Sequence, residues 1–158
     1  MKLKLIAGLL GCLALVGCSD SGPWKGPFGT KKGITEEQLS KFARLEYVSD
    51  KVFLSPQAPD MSAHADSYTF WIGKSSGLCG VAASFLNVAS APDSLPRKLI
   101  AKYGEPQKSP KGDGSVEWDS KRYKLEEGVN LIQISFNELG STQNAMVSYF
   151  FDNMPDCH

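Results

Sequence analysis

The sequence predicts an α+β fold, with an antiparallel sheet of about five strands and two short helices. Three observations carry this expectation. Apolar residues alternate with period two in several short runs, most clearly where Tyr68, Phe70 and Ile72 alternate with Thr69, Trp71 and Gly73. Two other segments repeat with helical spacing and carry helix start or stop signals. The order along the chain is helix, strands, helix, strands, without the regular strand–helix–strand alternation of a parallel sheet.

The first helix is expected over about 36–44. Thr35 is a good N-cap and Gln38 stands three residues later, which makes a capping box. Ile34 and Leu39 occupy the positions of a hydrophobic staple. Glu36 and Glu37 suit the positive end of the helix, and Leu39, Phe42 and Ala43 form its apolar stripe. Tyr47 to Leu54 reads as one extended segment, and Ser55 to Ala65, with Pro56 and Pro59, as a loop. Residues 68–73 and 78–86 flank the turn Gly73 to Gly77 and read as a hairpin.

The second helix is expected over 93–103. Leu95, Leu99 and Tyr103 recur every four residues, Pro96 is tolerable in the first turn, and Gly104 followed by Pro106 is a regular helix stop. Lys108 to Ser115 reads as a turn-rich loop. Strands follow at Val116 to about Lys121, Val129 to Asn137 and Ala145 to Phe151, the last two joined by a turn at Glu138 to Thr142. Trp118, Phe136, Phe150 and Phe151 fall on these strand patterns and are assigned to the core. No internal repeat is visible.

The N-terminus carries a different pattern. Lys2 and Lys4 precede an apolar stretch from Leu5 to Val16, too short to span a bilayer and of the length a signal peptide needs. It ends in Leu15-Val16-Gly17-Cys18, which resembles the lipobox of bacterial lipoproteins. That resemblance implies cleavage before Cys18 and lipidation of its thiol, with the bilayer as a partner through the acylated residue. Two or three acyl chains anchor a protein stably where one is marginal. Ser19, with Asp20 one place later, lacks the Asp directly after the cysteine that resembles an inner-membrane retention signal. The expected location is therefore the outer membrane, facing the periplasm.

The chain is thereby divided into a signal peptide (1–17), a lipidated tether (18–27) and a single periplasmic domain (28–158). Removing the first 17 of 158 residues leaves 141, the size of one domain. The full chain balances 17 basic against 17 acidic residues, so losing Lys2 and Lys4 leaves a net charge of −2. With no basic face, nucleic acid is not an expected partner. An apolar content of 42% is enough for a core and too high for disorder. The tether contains Gly and Pro without periodicity, and its Trp24 either packs on the domain or sits at the membrane interface.

Of the four cysteines, Cys12 leaves with the signal and Cys18 carries lipid. Cys79 and Cys157 remain, and in an oxidising compartment they are expected to form a disulfide. They lack the CxxC spacing of an oxidoreductase. The residues offer little chemistry otherwise. His64 and His158 have no partners at metal-ligand spacing, and His64 reads as a solvated loop residue. No G-x-S-x-G nucleophile elbow occurs. Glu36-Glu37 is explained by the helix start, Glu126-Glu127 by a turn before Gly128, and Gly112-Asp113-Gly114 by another turn. No cofactor, metal site or catalytic residue is expected.

Phe28-Gly29, Gly33-Ile34-Thr35 and Gln38-Leu39 resemble the helix-entry motif of small bacterial envelope proteins. The motif is similar in kind to that of BamE-type lipoproteins of the outer-membrane barrel-assembly machinery. Across 28–157 the chain more closely resembles a group of small envelope lipoproteins, through Gly77-Leu78-Cys79, Lys102-Tyr103-Gly104, Pro106, Trp118 and Asn153 to Cys157. It departs from BamE in its additional strands, its second helix and its cysteine pair, so no binding residues are carried over. The resulting expectation is a non-enzymatic, membrane-anchored lipoprotein that binds another envelope protein. The alternative is an immunity or inhibitor lipoprotein that neutralises a toxin or hydrolase acting in the periplasm.

Overall fold

The computed structural model of the chain describes residues 22–86, 94–139 and 142–157. The expected signal peptide (1–17), with Cys12, and the expected lipidation site Cys18 lie outside them. One antiparallel sheet organises the domain. Its strands are β1 (Glu46–Ser49), β2 (Val52–Ser55), β3 (Ser67–Gly73), β4 (Gly77–Phe85), β5 (Gln107–Lys108), β6 (Val116–Asp119), β7 (Val129–Leu139) and β8 (Thr142–Phe151). They lie side by side in the order β1-β2-β3-β4-β8-β7-β6-β5. Helix α1 (Glu36–Leu39) precedes β1, and α2 (Ser94–Tyr103) links β4 to β5. The topology therefore repeats, although the sequence shows no repeat. A helix followed by a four-stranded meander occurs twice, and β4 of the first meander pairs with β8 of the second.

The α+β class with a single antiparallel sheet and two helices stands, but the sheet has eight strands rather than about five. The extended segment 47–54 is in fact a hairpin. The chain reverses at Asp50-Lys51, and Lys51 takes a left-handed conformation (φ 65°). A hairpin turn of this kind normally advertises itself with Asn or Gly, and neither is present. Strand β5 has only two residues, too few to show alternation, and sits in what reads as a loop. Helix α1 is shorter than expected, because the regular helix stops at Leu39. Two further bonds to the Leu39 carbonyl, from Phe42 N (2.9 Å) and Ala43 N (3.0 Å), continue it as turns.

The capping box of α1 is complete. Gln38 N donates to Thr35 Oγ1 (3.2 Å), and Thr35 N donates to Gln38 Oε1 (2.9 Å). Thr35→Ala should cost about 1 kcal/mol. Urea unfolding of the domain checks this, and Thr35→Ser should stay close to wild type.

The core lies between one face of the sheet and the segments that carry the helices. Cross-strand register places Phe53, Phe70, Val81, Tyr149, Ile132 and Trp118 in one row across six strands. All are buried. Leu39, Ala43 and Leu99 are buried in the same cluster, with Ile100 and Tyr103 packed against it. Phe28 stands edge-on to both Tyr68 and Tyr149, at 5.5 Å in each case. Trp24, in the segment expected to be tether, is buried against the domain, edge-on to Phe42 at 5.6 Å. Its amide donates to Gly29 O (2.8 Å), so the packed structure includes residues assigned to the tether.

The segment before α1 is sewn to β4 by Gly33 N to Leu78 O (2.9 Å) and Leu78 N to Ile34 O (2.8 Å). Gly77 makes this contact possible: a Cβ there would come within 2.3 Å of Gly33 O, and its φ is +67°. The sulfur atoms of Cys79 and Cys157 lie at disulfide distance, 2.06 Å, with 78 residues of separation. The pair fastens the C-terminal turn Met154–Cys157 to the hairpin end of β3 and β4. Asn153 reinforces it, with Nδ2 donating to Ser76 O (3.1 Å) and Leu78 O (3.2 Å).

Candidate functional site

Alternation along each strand sends every second side chain to the face opposite the core. The register gives that face two long rows. One runs Val52, Trp71, Gly80, Phe150, Leu131, Asp119, and the other Leu54, Thr69, Ala82, Ser148, Gln133, Glu117. Among the described residues, no helix lies over these rows. Their larger side chains stay partly open: Leu54 is 40% exposed, and Val52, Trp71, Phe150 and Leu131 are half-buried. Ala82 and Ser148, between them, are buried.

Gly80 shapes the centre of this face. The Trp71 and Phe150 rings close over it, with centroids 5.4 Å apart and a tilt of 49°. A Cβ at position 80 would sit 3.2 Å from each ring and 3.1 Å from Tyr149 O. A Cβ there is a tight fit, and its neighbours would have to give by a few tenths of an ångström. The sequence assigned Phe150 and Phe136 to the core together with Trp118 and Phe151. Trp118 and Phe151 are buried, but Phe150 lies on the open face and Phe136 is 46% exposed. Four strand aromatics look alike in sequence, and only the register and the ends of the sheet separate them.

The β6 end of the face is acidic and recessed. Gln107 Nε2 donates to Glu117 Oε1 (3.3 Å) and also to Asp119 Oδ2. Glu117 is buried, and Asp119 additionally accepts from the amides of Lys121 (2.9 Å) and Arg122 (3.1 Å). A groove of about 600 Å³ opens here. Glu117, Asp119, Gln107 and Leu131 line it together with Lys108 of β5 and with Lys111, Lys121 and Arg122. A second open cleft, about 720 Å³, lies between α1 and the β1–β2 and β3–β4 turns, with Glu36, Glu37, Asp50, Lys51 and Lys74 among its walls.

The remaining residues singled out from the sequence do not converge. His64 is exposed in a turn at φ 52°. Glu36 and Glu37 are exposed in the first turn of α1, and Glu126 forms an ion pair with Lys102. Hydrogen bonding to Glu126 raises the Lys102 pKa. Asp113 accepts from Ser115 Oγ and from Ser115 N (3.0 Å) in its turn, which lowers its carboxyl pKa. No group of three His, Cys, Asp or Glu side chains able to hold a metal occurs among the described residues. No helix among them is long and apolar enough to cross a membrane.

Burial raises the phenol pKa values of Tyr149, Tyr103 and Tyr68 above the ordinary 10.0. The unfolded chain releases these protons near pH 10 while the folded domain keeps them. Stability should therefore be unaffected by these groups below about pH 10 and should fall as pH rises beyond it. The loss approaches about 1.4 kcal/mol per pH unit for each tyrosine that stays protonated. Denaturant midpoints measured at pH 9, 10.5 and 11.5 check the sign. Tyr149→Phe should flatten the alkaline decline.

Fold and site together describe an α+β domain whose sheet has one covered face and one open, partly apolar face. No family model, curated protein or solved structure matches the chain.

Proposed function

We propose that the chain is a non-enzymatic periplasmic lipoprotein, anchored through Cys18 to the outer membrane, whose domain binds another envelope protein. The observation that carries the binding part is the open sheet face, where Trp71, Phe150, Leu131, Val52 and Leu54 stand partly exposed in a contiguous tract. Contiguous apolar surface flanked by polar groups marks interaction sites more often than scattered exposed residues do. The anchoring part rests on the Leu15-Val16-Gly17-Cys18 pattern behind a short apolar stretch.

The anchor is tested first. Cys18→Ala should leave an unprocessed precursor without acyl label. Metabolic labelling with an alkynyl fatty acid, followed by membrane fractionation, checks this. Normal processing and acylation of the variant would refute the lipoprotein assignment. The binding part is tested by crosslinking the lipidated chain in intact cells. One reproducible envelope partner supports the reading. A secreted toxin or hydrolase as the captured species would replace it with an inhibitory role.

A further inference from the structure

We infer that the corner of the domain formed by Trp24 and Phe42 is held against the lipid headgroups of the membrane that anchors Cys18, by a tether too short to let it leave. This rests on the anchoring proposed above and adds the side of the domain that meets the bilayer. The observation that carries it is the packing of Trp24. Residues 18–27 read in sequence as a ten-residue tether, which would let the domain stand up to about 33 Å from its anchor. The fold takes up most of that length. Trp24 is buried and edge-on to Phe42, and its amide donates to Gly29 O (2.8 Å). Gly22 lies against the indole, where an added Cβ would meet the ring at 3.0 Å. Pro27 and Gly29 are buried as well. The chain is therefore already packed on the domain at Gly22, four positions after Cys18.

That distance is at most about 14 Å even in a fully extended chain. The acyl chains of Cys18 start at the boundary between hydrocarbon and headgroups, and the headgroup layer above it is about 5–7 Å thick. Gly22 and the ring it lies on are thereby confined to within about 10 Å of the bilayer surface. Trp24 belongs to the cluster on the covered side of the sheet, so that side turns toward the membrane at this corner. The open face lies across the sheet and stays clear of the bilayer. Lys25, Lys41 and Arg44 are exposed on the two segments that meet at the corner, and their long stems suit contact with headgroup phosphates. Glu46 stands 3.8 Å from Arg44 Nε, and Glu36 and Glu37 lie on α1 a few residues back. Both signs are present, so the length of the tether, not charge, sets the orientation.

The test uses the full lipidated chain, reconstituted in vesicles of phosphatidylethanolamine and phosphatidylglycerol that carry a nitroxide on a fraction of their headgroups. Lys41→Cys, Thr69→Cys and Lys121→Cys are each labelled with a fluorophore. Position 41 adjoins the corner, 69 lies on the open face and 121 lines the groove at its β6 end. Quenching at 41, with emission retained at 69 and 121, is the expected result. Inserting about ten Gly and Ser residues between Asp20 and Ser21 should then abolish most of the quenching at 41, with acylation and vesicle binding unchanged. If the chain is acylated and vesicle-bound, intact emission at 41 or equal quenching at all three positions would overturn this inference and leave the anchor standing. Quenching at 41 untouched by the insertion would overturn it too, because the tether would then not be what places the corner. A chain without acyl label and free of the vesicles would overturn the anchoring and this inference together.

Discussion

Trp118→Ala is expected to cost about 3–5 kcal/mol, a large fraction of the stability of a domain of this size. Trp118 is fully buried on β6, opposite Ile132 of β7. Its indole nitrogen donates to Gly104 O (2.8 Å), the residue that ends α2. One side chain thus holds an outer strand to the sheet and ties it to the helix stop. Truncation removes the ring contacts, opens a cavity and leaves the Gly104 carbonyl without that donor. Trp118→Phe keeps much of the ring and loses the hydrogen bond, so it should cost less than alanine. Urea unfolding of both variants separates packing from hydrogen bonding. A Trp118→Ala domain as stable as wild type would mean that β6 is not part of the cooperative core.

Reduction of the Cys79–Cys157 link is the second large effect. The 78-residue separation gives a chain-entropy stabilisation of about 4–5 kcal/mol. The domain should unfold at markedly lower denaturant concentration in reductant, and Cys157→Ala should reproduce the loss without reductant. Thiol alkylation under native, non-reducing conditions should label neither cysteine; labelling of both would refute the link. The effect should be strongest at the C-terminal turn, because the bond holds Met154–Cys157 against the β3–β4 hairpin. Hydrogen exchange can test this directly: amides near Asn153 should lose protection before those of β7 and β8.

Local chemistry was legible in the sequence wherever one segment carried its whole signal. The capping box at Thr35 and Gln38 needs only four residues to be recognised, and both its hydrogen bonds are present. Gly104 takes the left-handed conformation (φ 85°) that a helix stop requires, directly after Tyr103. Period-two alternation in β3 sends Tyr68, Phe70 and Ile72 to the core as expected. Counting cysteines reached Cys79 and Cys157 as the remaining pair. Signals failed where a turn used ordinary residues or a strand was too short. Asp50-Lys51 turns without Asn or Gly, and Gln107–Lys108 has no room for a pattern.

By itself, then, the sequence determined the α+β class, the cap of its first helix, the stop of its second, the inward side of its clearest strand and the pairing of Cys79 with Cys157. These are properties of neighbours in the chain, set by backbone preference and side-chain periodicity. Only the tertiary structure decided that β4 lies beside β8, and with it the number of strands, the twofold recurrence of helix and meander, and the composition of the open face. Trp71, Gly80 and Phe150 are separated by up to 79 positions in the sequence and become one surface through two ladders of strand pairing. Glu117 and Asp119 join that surface through β7. Pairing between distant strands depends on the register that best buries the opposite face, and no local segment encodes it.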